Sequence, residues 1–363
     1  MSIRETADLS RKKYIAQVQI EVWRSGQVGF GVIRFRNMVQ KLPKILVICG
    51  PTASGKTGIG IALAKCFSGE VLAADSRTVY RNMEIGVAKP QADAISPPDQ
   101  VGGGVAGLMS IEALCSDRPR LVESVPHWGF DLVDPNEPFT VSQYQEYADK
   151  KIAEILARGN VPIVVGGTGL YIRAILDRPN FAGAAPNVAL RAELDAMSDN
   201  DVLEEIAARD PDAAAAIDDR NRRRLIRALE ILRTTGGTLA EHQEFGEPLY
   251  DALQIGMNVP REELYVRIDQ RVDEMIGHGL VDEARKLLER YGLESQAMTG
   301  IGYRQIADFF AKKESLRDAV KRITYDTHHY AKRQETWFRR DPRVLWLRKE
   351  KEILRRAEEF LLG

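Results

Sequence analysis

The chain has 363 residues, 44% hydrophobic and 28% charged, which excludes a disordered, collagenous or coiled-coil protein and allows one large core with a smaller module inserted or appended. Lys and Arg number 51 against 52 Asp and Glu, a formal net charge of -1, so the protein is no polycation and any nucleic acid must be held by local patches. The cysteines Cys49, Cys66 and Cys115 contain no C-x-x-C pair, excluding a disulfide framework or zinc knuckle and suiting the cytoplasm, while no apolar run approaches the roughly 18 residues of a membrane span.

Residues 1–40 carry seven Lys/Arg against three acidic residues and a short alternation, Val18, Ile20 and Val22, that suits one exposed strand. With no apolar leader segment, and with Met38 as an alternative start, residues 1–40 are expected to form an N-terminal appendage outside the core. From residue 41 the texture changes. Ile45–Cys49 is a continuous apolar strand, 50–57 a glycine-rich turn, 58–67 a helical stretch and Val71–Ala74 a second apolar run. Strand, turn, helix and strand in about 30 residues make a βαβ unit and open a parallel sheet covered by helices.

Between Lys89 and Pro126, Pro97, Pro98, Gly102, Gly103, Gly104 and Pro119 break regular structure, and 91–124 reads as a flexible insertion in a core that spans 41–180. Ile152, Ile155 and Leu156 fall at helical spacing before a buried strand, Val161–Val165. Residues 181–250 are polar, helical and punctuated by prolines, and are expected to form a helical insertion domain. Helices over 261–291 and 315–338 then return to the core within 251–346, leaving 347–363 as a tail. The expected class is α/β, a P-loop parallel sheet flanked by helices with a helical insertion.

The string Gly50, Pro51, Thr52, Ala53, Ser54, Gly55, Lys56, Thr57 matches G-x-x-x-x-G-K-[ST] between a strand and a helix. Its amides form an anion cradle at a helix N-terminus, Lys56 adds a point charge, and Thr57 is placed to hold Mg²⁺ shared with the phosphates. This motif is common to nucleotide-binding and ATP-binding proteins, yet what it specifies is a di- or polyphosphate. Asp75, at the end of the second strand, stands where α/β sheets place ligands; a Mg²⁺ carboxylate, a general base and a helix cap are its three candidate roles.

Arg220, Arg222, Arg223, Arg224 and Arg227 put five arginines in eight residues, a density suited to RNA phosphates. A second patch, Lys332, Arg333, Arg339, Arg340 and Arg343, is interleaved with Trp337 and Phe338. His127 beside Trp128 is a packing histidine with no assigned role.

These strings, with Asp75–Tyr80, Gly86–Pro90, Pro126–His127, Asp131, Gly166–Tyr171, Arg227–Glu230, Gly302–Arg304 and Lys332–Gln334, resemble the bacterial tRNA dimethylallyltransferase family from about residue 41 to Trp346. The resemblance implies transfer of a dimethylallyl group from dimethylallyl diphosphate to N6 of the adenosine beside the anticodon. It also implies that Asp75 is the general base, that Thr168 orients the amine or binds the diphosphate, and that Arg271 reaches the diphosphate, although spacing alone leaves Arg271 on a solvated helix face. The expected partners are a tRNA anticodon stem-loop and dimethylallyl diphosphate, with Mg²⁺ as cofactor, no membrane, and a monomeric enzyme.

By the same resemblance, Asp75, Ser76, Arg77, Thr78, Arg191, Arg223, Arg224, Thr299, Gly300, Ile301, Gly302, Tyr303, Arg304, Lys332, Arg333, Gln334, Glu335, Thr336, Trp337, Phe338 and Arg339 surround the anticodon loop. Three departures stand out: Thr78 where glutamine is common, Asp218-Asp219-Arg220 where proline and asparagine are usual, and the long 90–126 segment. The alternatives are a P-loop small-molecule kinase using ATP and a nucleotide-switch RNA-binding protein; the lack of an Asn-Lys-x-Asp string counts against the second.

Overall fold

A computed structural model describes residues 41–93, 118–179, 187–217, 221–241 and 245–363. The chain divides into two units, Met1–Leu42 and Pro43–Gly363, and every element below belongs to the second. The expected strand through Val18, Ile20 and Val22, the glycine run 102–104 and Arg220 lie outside the described residues.

Seven strands form one sheet in the order β3-β4-β2-β5-β1-β6-β7: β1 (Lys44–Cys49), β2 (Gly69–Ala74), β3 (Arg120–Val122), β4 (Val125–Trp128), β5 (Val161–Gly166), β6 (Asp251–Met257) and β7 (Val344–Leu347). All pairs are parallel except β3 with β4. The central strands are almost uninterrupted apolar runs because both faces are covered, so neither face selects for polar residues. On one face α1 (Lys56–Phe67) and α12 (Glu350–Leu362) bury Ile59, Leu63, Ile353 and Ala357. On the other lie α2 (Val141–Ala157), α3 (Gly169–Asp177), α8 (Arg261–Gly277), α9 (Leu280–Tyr291), α10 (Tyr303–Phe310) and α11 (Leu316–Arg339). Between these groups α4 (Val188–Ala196), α5 (Asp199–Arg209), α6 (Pro211–Ala216) and α7 (Arg222–Thr235) close around their own core of Leu194, Val202, Ile206, Leu225, Leu229 and Leu232.

Four expectations are corrected. The supposed loop up to Pro126 contains the β3–β4 hairpin. Its turn residues Glu123 and Ser124 have φ of 50° and 64°, and Asp93 accepts both their amides at 2.8 and 2.7 Å. The stretch 251–346 is not purely helical, since β6 and β7 extend the sheet; Gln254 and Gly256 interrupt the apolar run of β6 and hide it. Residues 261–291 form two helices, because Gly279 takes φ 100° and turns the chain. The tail is the packed helix α12. Among the described residues no helix is long and apolar enough to cross a membrane.

What positions the site is the place of β5. It lies between β1 and β2, with Gly166 in register with both Cys49 and Ala74. Three loops far apart in sequence therefore leave the same sheet edge side by side: 50–55 after β1, the one opening at Asp75 after β2, and Gly167–Thr168 after β5.

Candidate active site

The phosphate loop is built by left-handed backbone at Ala53 (φ 61°) and Gly55 (φ 89°). It is then fixed from outside by α11. Gln334, 6% exposed, accepts the Thr52 amide through Oε1 at 2.8 Å and donates through Nε2 to the Gly167 carbonyl at 2.8 Å. One side-chain amide thus ties the β1 loop to the β5 loop, and a Cβ at Gly167 would stand 2.2 Å from Gln334 Nε2. Arg271, on α8, donates to the Thr52 hydroxyl at 3.4 Å. It is half-buried and lines the cavity, so it is not on a solvated helix face, as spacing alone reads it; burial lowers its pKa.

Lys56 donates to the Pro51 carbonyl at 2.6 Å. Burial pulls its ammonium down to about 8; the Asp75 charge raises it and Arg271 lowers it. The Ser54 hydroxyl is buried and has no hydrogen-bond partner among the described residues, a polar atom inside the anion cradle. Thr57, just inside α1, is exposed.

Asp75 Oδ1 accepts the Arg77 amide at 2.8 Å, so it does cap the turn, while its other oxygen makes no hydrogen bond among the described residues. Thr168 is the N-cap residue of α3, but its side chain makes no capping bond. Its hydroxyl accepts the Ser76 amide at 3.0 Å and lies 3.5 Å from the Ser76 hydroxyl, while burial and the Asp75 charge push up the pKa of Tyr330 on the cavity wall. Arg77 spans the opening, donating to Gln296 O at 2.8 Å and to the Thr299 hydroxyl at 3.2 Å. Asp75, Arg77, Arg271, Gly300–Arg304, Tyr330 and Arg333 line a cavity of about 540 Å³, whose apolar wall includes Ile268, Val272, Met275 and Ile323.

Several residues expected to touch RNA are committed elsewhere. Thr78 is buried with its hydroxyl 3.4 Å from Asp75 O. Tyr303 is fully buried with its hydroxyl on Glu283 at 2.7 Å. Gln334 serves the phosphate loop, and Phe338 is core. Arg191 makes a bidentate pair with Glu230, both bonds 2.9 Å, and Arg227 joins the same buried carboxylate at 2.6 Å. Arg222 pairs with Asp199 and donates to the last carbonyls of α4.

What remains outward is narrower. Arg223 and Arg224 are exposed, with no side-chain partner among the described residues. Lys332 and Arg333 are exposed on α11. Trp337 is 37% exposed, close enough to Gly169 that a Cβ there would meet the indole nitrogen at 2.0 Å. Arg304 pairs with Asp326 at 2.9 Å. Glu335 bridges Arg339 at 2.9 Å and Arg261 at 3.4 Å, and Thr336 bonds back to Lys332 O. Arg343 is paired with Asp177 and Asp341. His127 is packed, with Nδ1 2.9 Å from Val125 O.

Sequence reasoning missed Gln334 as a loop clamp, Tyr330, and Glu283. The string 86–90 works through a buried lysine: Lys89 joins Asp131 at 2.6 Å and the Tyr80 carbonyl at 2.7 Å.

A phosphate loop, an adjacent carboxylate and a cavity closed by α8 and α11 would suit several transferases. A family model, IPP transferase, matches residues 115–341, and a tRNA dimethylallyltransferase of Roseiflexus sp. (strain RS-1) is 40% identical over 84% of this chain and 92% of its own. The chain belongs to the IPP transferase family. A second relative bearing that name, from Bacillus subtilis (strain 168), is 36% identical over 83% of this chain and 90% of its own.

Among solved structures, the tRNA isopentenylpyrophosphate transferase of Bacillus halodurans matches with a TM-score of 0.60 and 35% identity, over 88% of this chain and 96% of that one. A eukaryotic dimethylallyltransferase acting on tRNA matches at 0.65 and 26%, over 81% and 69%. The α/β sheet and its covering helices are therefore those of an IPP transferase, and the kinase and nucleotide-switch alternatives are not favoured.

Proposed function

We propose that this IPP transferase family member moves a dimethylallyl group from dimethylallyl diphosphate to N6 of the adenosine next to the anticodon of tRNA, releasing diphosphate. The observation that carries the reading is the juxtaposition of a phosphate loop and Asp75 at one mouth of a cavity whose wall is partly aliphatic. A diphosphate placed at 50–57 leaves as an anion, and loop amides, Lys56 and Arg271 stabilise the charge that develops as the allylic C–O bond breaks. The adenine N6 attacks the allylic carbon and must give up a proton as the C–N bond forms; the unpartnered oxygen of Asp75 accepts it. Thr168, locked to the Ser76 amide, orients the amine.

Magnesium fits the donors at the loop. Among the described residues no group of three His, Cys, Asp or Glu could hold a metal, and Mg²⁺ commonly uses one or two protein oxygens plus substrate phosphates and waters. Thr57 would hold it, and it would supply charge neutralisation of the diphosphate. On this reading the monomeric enzyme meets its substrates in the cytoplasm, and the exposed Arg223, Arg224, Lys332 and Arg333 take the RNA backbone.

Calorimetric titration with dimethylallyl diphosphate and Mg²⁺ tests the diphosphate half. Lys56 is protonated below about pH 8; above it the free enzyme must take up a proton to recover the ammonium that the anion requires. Affinity is therefore expected to be level up to about pH 8 and to fall beyond it. Tight ATP binding with weak dimethylallyl diphosphate binding supports the kinase reading instead.

Replacing Arg223 and Arg224 together by Ala tests the RNA half. tRNA affinity is expected to fall, and the slope of log affinity against log salt to flatten by about 0.7 per lost phosphate contact. An unchanged slope assigns both arginines to a solvated face.

A further inference from the structure

The loop 84–88 follows β2 and supplies Gly86, Val87 and Ala88 to the cavity wall. It is a short turn, closed by Ala88 N to Ile85 O at 2.9 Å and Lys89 N to Glu84 O at 3.0 Å, and its free amides are taken by one carboxylate from a distant helix. Glu283, in the first turn of α9, accepts the amides of Glu84 at 2.9 Å and Ile85 at 2.8 Å through Oε2, and the amide of Gly86 at 3.0 Å and the hydroxyl of Tyr303 at 2.7 Å through Oε1. Four donors on one carboxylate make a charge-assisted clamp, stronger than four neutral bonds. The Tyr303 ring then packs on Gly86 so closely that a Cβ there would stand 2.5 Å from the ring. On the other side the loop is pinned by Arg120, which donates to the Glu84 carboxylate at 2.6 Å and to the Pro90 carbonyl at 2.9 Å.

Gly302, Tyr303 and Arg304 also line the cavity, with Arg77 and Thr299 beside them. Glu283 thus couples the start of the loop that carries the wall residues Gly86, Val87 and Ala88 to the wall residue Tyr303, without a hydrogen bond to the phosphate loop, which is fixed by Gln334 and Arg271. We propose that Glu283 is a positioning residue for the nucleoside side of the cavity, setting the wall against which the acceptor base is held while leaving the diphosphate site alone. The proposal rests on the reading of tRNA prenyl transfer above. The base needs a wall placed to within a fraction of an ångström of the reactive geometry, because displacements near 1 Å can cost about 10²-fold in rate. The diphosphate is positioned by a separate set of residues, the 50–57 loop with Gln334 and Arg271.

Glu283→Gln in the full-length protein keeps the size of the side chain but replaces one acceptor oxygen by a donor that faces amides. It is expected to raise KM for tRNA and lower kcat, together by about 10- to 100-fold, with KM for dimethylallyl diphosphate within about twofold of wild type. Tyr303→Phe removes one of the four bonds and should give a smaller shift in the same direction, keeping the test open if the Gln variant folds poorly. Hydrogen exchange provides a readout independent of catalysis: the amides of Glu84, Ile85 and Gly86 should lose protection in Glu283→Gln. If wild type transfers no prenyl group, the functional reading fails and the exchange data alone decide the clamp. Unchanged protection of those three amides overturns the proposal. So does a variant in which both substrates' KM values rise in proportion with a fall in melting temperature, since that is general destabilisation.

Discussion

Asp75→Asn is expected to slow prenyl transfer by about 10²- to 10⁴-fold at saturating substrate, the range for loss of a positioned general base. The choice of Asn matters because Asp75 has two tasks. Its Oδ1 accepts the Arg77 amide at 2.8 Å, and an Asn oxygen can accept that bond while being unable to take the proton from N6. The substitution therefore keeps the turn and removes the base. A secondary effect has a known sign. The Asp75 charge supports the Lys56 ammonium, so the variant's Lys56 loses its proton more readily and diphosphate affinity drops as pH rises. Measuring kcat at saturation near pH 7 separates the two. A rate within a few-fold of wild type would leave Asp75 a turn cap only.

Gln334→Leu has the largest expected effect on stability. Leucine is similar in volume but can neither accept the Thr52 amide nor donate to the Gly167 carbonyl, both at 2.8 Å. Each of these backbone groups left unsatisfied costs about 1–3 kcal/mol, so up to roughly 6 kcal/mol is lost, and the phosphate loop is freed from the β5 loop. Denaturant unfolding should show the loss, and KM for dimethylallyl diphosphate should rise. Gln334→Glu, which keeps an acceptor for Thr52 but loses the donor, is expected to fall between. A Leu variant with unchanged unfolding midpoint and diphosphate affinity would contradict the clamp.

These two residues mark where the sequence is readable and where it is not. The phosphate loop and Asp75 are local signals: a motif of eight residues and the end of an apolar strand carry their own context. The side-by-side placement of Thr168 depends on β5 lying between β1 and β2, a sheet order that no local pattern encodes.

The string around Gln334 marks a position without saying which helix face it occupies. On α11, Ala331, Gln334 and Phe338 point inward at helical spacing, whereas Lys332, Arg333, Thr336 and Arg339 point out. Reading the whole string as RNA-facing mixed the two faces. The arginine cluster divides for a related reason: Arg222 finds Asp199 on α5, and Arg227 joins Glu230 of its own helix, fully buried, where Arg191 from α4 also binds. Charge density in sequence says nothing about intramolecular partners. The hairpin β3–β4 and strands β6 and β7 were missed because they are short, sit toward the sheet's edges, or carry Pro126, Gln254 and Gly256 inside them.

The central claim is that this one site joins an allylic diphosphate to a tRNA adenosine. The most direct measurement incubates the protein with Mg²⁺, dimethylallyl diphosphate and unmodified tRNA carrying an adenosine-rich anticodon loop, then digests the tRNA and analyses its nucleosides by mass spectrometry, with ATP replacing the prenyl donor in a parallel reaction. The account predicts N6-dimethylallyl-adenosine at the position beside the anticodon, formed in step with diphosphate release and absent with ATP. Turnover of ATP with no prenylated nucleoside in either reaction would contradict it.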